Sequence, residues 1–189
     1  MSIAFQRKLF TVDDFAGMIK AGILREGERV ELIDGEIREM SAIGPLHASI
    51  VNRLNRILTK QLGDRAIVSV QNPVILNDFT EPQPDLVVLR ENESFYKDSL
   101  PRPSDVLLVI EVSDSSIDYD RDDKLPRYAK MRIPEVWIVD VHGQEVVQYA
   151  RPNAGKYQHE VPFQRGEELT ALDIESLRLS VDELFQIGR

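Results

Sequence analysis

The chain has no cysteine. That excludes a disulfide frame and any thiolate metal or redox site. It also lacks an apolar run near the roughly 20 residues that a membrane span requires. Its first residues, Met1-Ser-Ile-Ala-Phe-Gln-Arg-Lys8, lack the basic-then-apolar order of a secretory leader. A cytoplasmic location and no membrane partner are the readings these absences leave. There is no internal repeat, low-complexity tract or linker, so the 189 residues are expected to form a single domain, 1–189. Positive charge is in deficit, with 23 Lys and Arg against 32 Asp and Glu and a formal net charge of -9. That weighs against whole-surface attraction for nucleic acid but leaves room for a local basic groove. It also means that an acidic site would need divalent cations before it could accept a phosphate.

What is present is organised around Val106-Leu-Leu-Val-Ile-Glu-Val-Ser113, an unbroken apolar run with one carboxylate, Glu111, near its end. Such Val- and Ile-rich runs form strands buried on both faces. An ionised acid buried there without a partner costs several kcal/mol, so a metal or a cation is expected beside it. A second strand of similar make, Leu86-Val-Val-Leu89, follows Pro84-Asp85.

The remaining elements frame these two. Thr11-Val-Asp-Asp14 reads as a capping box that opens a short helix to about Ala21, with Phe15, Met18 and Ile19 on its apolar face. Asp34-Gly35 predicts a tight hairpin with Glu31 in its first arm and Val30, Leu32 and Ile37 packing inward. Pro45 to about Leu62 has the helical spacing of Ile50, Leu54, Ile57 and Leu58. Its Arg53, Arg56 and Lys60 form either a solvated face or a local phosphate-contacting patch. Ala66–Val70 and Val74–Leu76 are expected strands broken at Pro73. After the central strand comes an acidic connection, Asp114 to Asp123. A helix is then expected to start near Lys124 or Leu125, capped by Asp122 or Asp123, with Pro126 in its first turn. Pro134–Asp140 is a further apolar strand, and strand–helix–strand at this spacing predicts a parallel pair. Glu145–Tyr149 with Tyr157–Phe163 makes a hairpin, and Ser180-Val-Asp-Glu183 caps a terminal helix.

Residues two apart in a strand share a face, so Glu111 and Ser113 point the same way. Asp85 can meet Glu111 if their strands adjoin. Oxygen ligands without cysteine suit Mg²⁺ or Mn²⁺. Blander readings stand beside these. Asp85 could cap a turn, Glu111 could pair with a buried Arg, and Lys124 could be a surface lysine. His47 could be a surface or packing residue, and Tyr128 and Trp137 could be plain core.

Pro84-Asp85, followed by an acid on the next buried strand, resembles the PD-(D/E)XK nuclease superfamily. The usual lysine two residues after the acid is replaced by Ser113. In that departure the chain resembles the Uma-type restriction-endonuclease family, whose lysine lies on the following helix, where Lys124 stands here. Glu31-Leu-Ile-Asp-Gly-Glu36, His47, Ile110-Glu-Val-Ser113 and Ile133-Pro-Glu-Val-Trp-Ile-Val-Asp140 match as well. The resemblance covers about residues 8 to 188. It implies an α/β (α+β mixed-sheet) fold with a restriction-endonuclease-like α-β-β-β-α-β core, an N-terminal helix and hairpin, and an added C-terminal hairpin. It implies an endonuclease that hydrolyses DNA with Mg²⁺ or Mn²⁺. Asp85, Glu111 and the main-chain carbonyl of Val112 would be the metal ligands, Lys124 the catalytic lysine and Glu31 an auxiliary acid. His47, Gln71 and Ser113 are candidates to line the cleft. A homodimer would cut both strands. The alternative is a catalytically inactive module of the same fold that binds nucleic acid or protein. A third reading is a scaffold whose acids are satisfied by arginines.

Overall fold

The computed structural model describes residues 7–25, 27–174 and 176–186. In chain order it holds α1 (Val12–Lys20), the hairpin β1 (Val30–Ile33) and β2 (Glu36–Glu39), and α2 (Pro45–Leu62). Next come β3 (Ala66–Val70), β4 (Leu86–Arg90) and β5 (Val106–Ser113). A helical crossover then runs through α3 (Ile117–Tyr119), a π-helical turn (Asp120–Lys124) and α4 (Leu125–Lys130) into β6 (Glu135–Asp140). The chain continues with β7 (Glu145–Asn153), β8 (Lys156–Phe163), the short strands β9 (Glu168–Thr170) and β10 (Arg178–Ser180), and α5 (Val181–Phe185). Strands β3 to β8 form one six-stranded sheet in sequence order. Its only parallel pair is β5 with β6, as the crossover spacing predicts, and every other pair is antiparallel.

Both faces of the central strands are covered, which is why β4 and β5 read as continuous apolar runs. Leu86, Val88, Ile110, Val112 and Trp137 face α2 and α5, meeting Leu54, Leu58 and Leu184. Their neighbours Val87, Val109, Val136 and Ile138 face the crossover, meeting Leu125 and Tyr128. Burying a residue such as Leu54 fully contributes roughly 1.5–3 kcal/mol. The two layers thus fix the crossover against the sheet at the end where β5 finishes.

The Asp34-Gly35 turn has φ of 50° and 79° at its two central residues, the left-handed pair that the dipeptide predicts. A Cβ on Gly35 would lie 2.6 Å from the Leu9 Cβ, so a larger residue there is excluded twice over. The Thr11 capping box forms in full, but of the expected apolar face of α1 only Phe15 is buried. In the hairpin Leu32 and Ile33 are buried, while Val30 and Ile37 are only partly so.

Two expectations are corrected. Val74–Leu76 is not a regular strand. The amides of Val74 and Leu76 instead donate to Pro82 and Thr80, because Pro73, Pro82 and Pro84 supply no N–H for a ladder. The crossover helix also begins at Ile117 rather than near Lys124, and neither Asp122 nor Asp123 caps α4. The Leu125 amide reaches back five residues to the Asp120 carbonyl. That widened turn gives the Pro126 ring room against the preceding carbonyls and lets the helix run through the proline. Arg53 donates to the Glu183 carbonyl at 3.0 Å, and Arg53, Arg56 and Lys60 lie on the solvated side of α2.

Candidate active site

The C-terminal end of β5, the approach to β4, the β1 strand, the start of α2 and the crossover converge on one cavity of about 250 Å³. Glu31, His47, Asp85, Glu111, Tyr119, Asp120 and Lys124 all line it. The register that pairs Leu86 with Ile110 makes Asp85 the cross-strand neighbour of Glu111. Each acid reaches across to the other strand. The Asp85 amide donates to Glu111 Oε2 at 3.3 Å, and the Val112 amide donates to Asp85 Oδ2 at 2.9 Å. N–H and C=O of one strand residue leave by the same edge, so the Val112 carbonyl also faces the Asp85 side.

Lys124 is only 5% exposed. Its Nζ lies 3.4 Å from Glu31, 3.4 Å from Glu111 and 3.9 Å from Asp120. Burial opposes its charge, but those carboxylates outweigh burial and hold the ammonium well above its ordinary range. Pro126 does not divert it. The π turn sets Asp120 and Lys124, four apart, toward the same cavity. Asp120 Oδ2 is fixed by the hydroxyls of Ser113 at 2.8 Å and Ser116 at 2.6 Å.

Glu111 accepts from the Tyr128 hydroxyl at 2.6 Å. Burial pushes its carboxyl up to about 8, with Lys124 opposing and Asp120 and Asp85 adding to the rise. Burial also acts to raise Asp85. There the His47 partner at 3.0 Å, the Val112 amide and Gln71 prevail and hold it below the usual carboxylate range. His47 is raised in turn, chiefly by its hydrogen bond to Asp85. Glu31 accepts from the Tyr119 hydroxyl at 2.9 Å and the Gln83 amide at 3.1 Å.

The expected residues therefore gather, with two corrections to the cleft lining. His47 lines the cavity. Gln71 and Ser113 do not, and each acts from one layer behind. Gln71 donates to Asp85 Oδ1 at 3.2 Å, and Ser113 is spent on Asp120. Sequence reasoning missed Asp120, Tyr119, Gln83 and the hydroxyl of Tyr128. Asp120 lies four residues before Lys124, a helical spacing that could have flagged it. Among the described residues no arginine pairs with Glu31, Asp85, Glu111 or Asp120; Lys124, His47, the two tyrosines and the two serine hydroxyls do.

Four acids, Glu31, Asp85, Glu111 and Asp120, here meet two cationic side chains, Lys124 and His47. That surplus of buried carboxyl oxygens, with a proton on Glu111 up to about pH 8, is what a divalent cation would balance. Among the described residues no set of three or more His, Asp or Glu side chains is gathered closely enough to hold an ion alone. Two carboxylates with a main-chain carbonyl still fit in kind, because Mg²⁺ keeps several of its waters.

A mixed six-stranded sheet with an α-β-β-β-α-β core and acids at the end of its central antiparallel strands defines a restriction-endonuclease-like fold. The chain belongs to the Uma2 family, whose model, described as "Putative restriction endonuclease", matches residues 12–182. Among solved structures, a "putative nuclease belonging to DUF820" from Anabaena variabilis matches with a TM-score of 0.71. The match covers 93% of this chain and 97% of that one at 18% identity, a likeness of fold. No curated protein matches. No described helix is long and apolar enough to cross a membrane.

Proposed function

We propose that the chain is a divalent-metal-dependent endonuclease that hydrolyses DNA phosphodiester bonds. The observation that carries this reading is Asp85 beside Glu111 on adjoining strands, with the Lys124 ammonium 3.4 Å from Glu111. Family membership supports the reaction class. Asp85, Glu111 and the Val112 carbonyl would hold Mg²⁺ or Mn²⁺. Such an ion, when bound, supplies Lewis acidity and lowers the pKa of a coordinated water. Lys124 donates its N–H groups to the phosphate oxygens and to the attacking water, offsetting charge that develops in the phosphorane-like transition state. Glu31 positions Lys124, and His47 and Gln71 fix the Asp85 carboxylate.

The alternative is a nuclease-fold module that binds without cutting. It is favoured by Lys124 already serving as counter-ion to Glu111 and Glu31 within the fold. Two outcomes separate the readings. The endonuclease nicks plasmid DNA in Mg²⁺ or Mn²⁺ and binds Mn²⁺ by calorimetry, and Lys124→Ala abolishes the nicking. A wild-type protein that binds neither ion and cuts nothing overturns it. Cutting both strands calls for a homodimer. The β7–β8 hairpin, whose outer strand is a free sheet edge, is our candidate interface, and sedimentation of the intact chain tests it.

A further inference from the structure

Arg29 lines the same cavity from just ahead of β1, two residues before Glu31. The other cationic side chains of that wall each have an acid. Arg38 meets Asp123 at 2.9 Å, His47 meets Asp85 at 3.0 Å, and Lys124 meets Glu31 and Glu111 at 3.4 Å. Arg29 pairs with none among the described residues, although Glu31, Glu39, Asp85 and Asp114 line the cavity with it. Its buried Nε has no hydrogen-bond partner. In a chain with a net charge of -9, an arginine left unpaired beside four acids is poorly explained by the fold alone.

We propose that Arg29 is a phosphate clamp that receives the DNA backbone phosphate flanking the scissile one. This rests on the nuclease reading above. A guanidinium presents a planar fork of N–H donors that matches two phosphate oxygens, and it keeps its charge at any working pH. A strand rises about 3.3–3.4 Å per residue, so the backbone of Arg29, just ahead of β1, stands about 7 Å from that of Glu31, which meets Lys124. That displacement puts its fork beside the group Lys124 addresses, not on it. Acids line the cavity and repel a polyanion, so a cation not spent on those acids is the donor such a path needs.

The test uses the intact chain and duplex DNA, with Ca²⁺ replacing Mg²⁺ for the binding measurements. Arg29→Gln should bind about tenfold more weakly and lose about 0.9 from the slope of log K against log salt. KM should rise with kcat held within about threefold, and Mn²⁺ affinity and Tm should not change. Arg29→Lys should recover the salt slope and only part of the affinity, since an ammonium lacks the fork. Single neutral methylphosphonates are then placed at each phosphate around the cut. One flanking position should weaken wild type about tenfold and leave Arg29→Gln unaffected. A variant with an unchanged salt slope, or one that matches wild type at every methylphosphonate, overturns the clamp while leaving the nuclease reading intact. A wild type that neither binds nor cuts DNA overturns both.

Discussion

Two buried glutamates on adjacent strands carry opposite lessons. Glu135 opens β6 and is 1% exposed, and Glu111 lies late in β5 and is 2% exposed. Glu135 faces α2. Its carboxylate accepts from Trp137 Nε1 at 2.6 Å, Gln148 Nε2 at 2.6 Å and the Leu172 amide at 2.8 Å. Those neutral donors close the site and pin the segment after β9 to the sheet. Glu111 faces the crossover, accepts one hydroxyl, shares one lysine with two other acids, and fronts a cavity. One acid is a completed latch. The other sits among more acids than the cations paired with them, and a proton holds its place until about pH 8. Burial is thus common to structure and site, and the nature of the partners separates them.

The sharpest break of this comparison is in cleavage. Glu111→Gln or Asp85→Ala should lower nicking by at least about 10³-fold, roughly 4 kcal/mol of transition-state stabilisation. Glu111→Gln should keep its Tm within a few degrees, since the amide can still accept from Tyr128. Plasmid nicking beside scanning calorimetry reads both. Glu135→Ala should do the reverse. Three buried N–H donors lose their acceptor at about 1–3 kcal/mol each, so a loss of about 3–5 kcal/mol is expected after relaxation. At about 2–4 °C per kcal/mol for a chain of this size, Tm falls by about 6–20 °C. Cutting per folded molecule should stay unchanged. If Glu135→Ala stopped cleavage without melting the fold, the distinction between latch and site would collapse.

The pH response sharpens it next. Glu111 is pushed up to about 8 in the fold from an ordinary value of 4.5. Between those values the folded chain holds a proton that the unfolded chain has released. Stability therefore falls as pH rises through that window, by up to about 1.4 kcal/mol per unit for this group. His47 and Glu81 are also raised and add slope of the same sign, whereas the depressed Asp85 acts only in the acid range below its ordinary value. Glu111→Gln should flatten part of the decline in Tm between pH 5 and 8. Mn²⁺ must displace the Glu111 proton, so its affinity should rise about tenfold per pH unit and level off near 8. A flat profile by calorimetry would mean that Glu111 is already ionised across this range, so that no proton holds the place the ion would take.

Much of this was legible before the structure. Strand parity put Glu111 and Ser113 on one face, the apolar runs marked β4 and β5 as buried strands, and the order of motifs pointed to Lys124 on the crossover. Asp120 was hidden because it sits in a run, Asp114 to Asp123, that reads as solvated charge. Only the π turn, a backbone event with no simple sequence mark, turns it inward. Glu135 was hidden for another reason. Two of its three donors come from Gln148 and Leu172, 13 and 37 residues away, and pairings at that distance leave no local periodicity. Arg29 reads as one more base ahead of a strand until Glu31, Asp85 and Asp114 beside it are seen to pair with Lys124, His47 and His142.

The smallest effect concerns Ser113, which stands where the resemblance to the PD-(D/E)XK pattern would put a lysine. Its hydroxyl donates to Asp120 Oδ2, and Ser116 supplies a second hydroxyl to the same oxygen. Ser113→Ala leaves Asp120 that second donor and removes one buried hydrogen bond, worth about 1 kcal/mol. Tm should fall by about 2–4 °C, and nicking should fall by no more than about fivefold, because Lys124 keeps Glu31 and Glu111 as anchors. If Ser113 instead touched the reacting phosphate, the loss would approach that of Lys124→Ala with no change in Tm. The ratio of the two effects therefore tells whether the serine has taken over the chemistry of the missing lysine or only braces the acid beside its replacement.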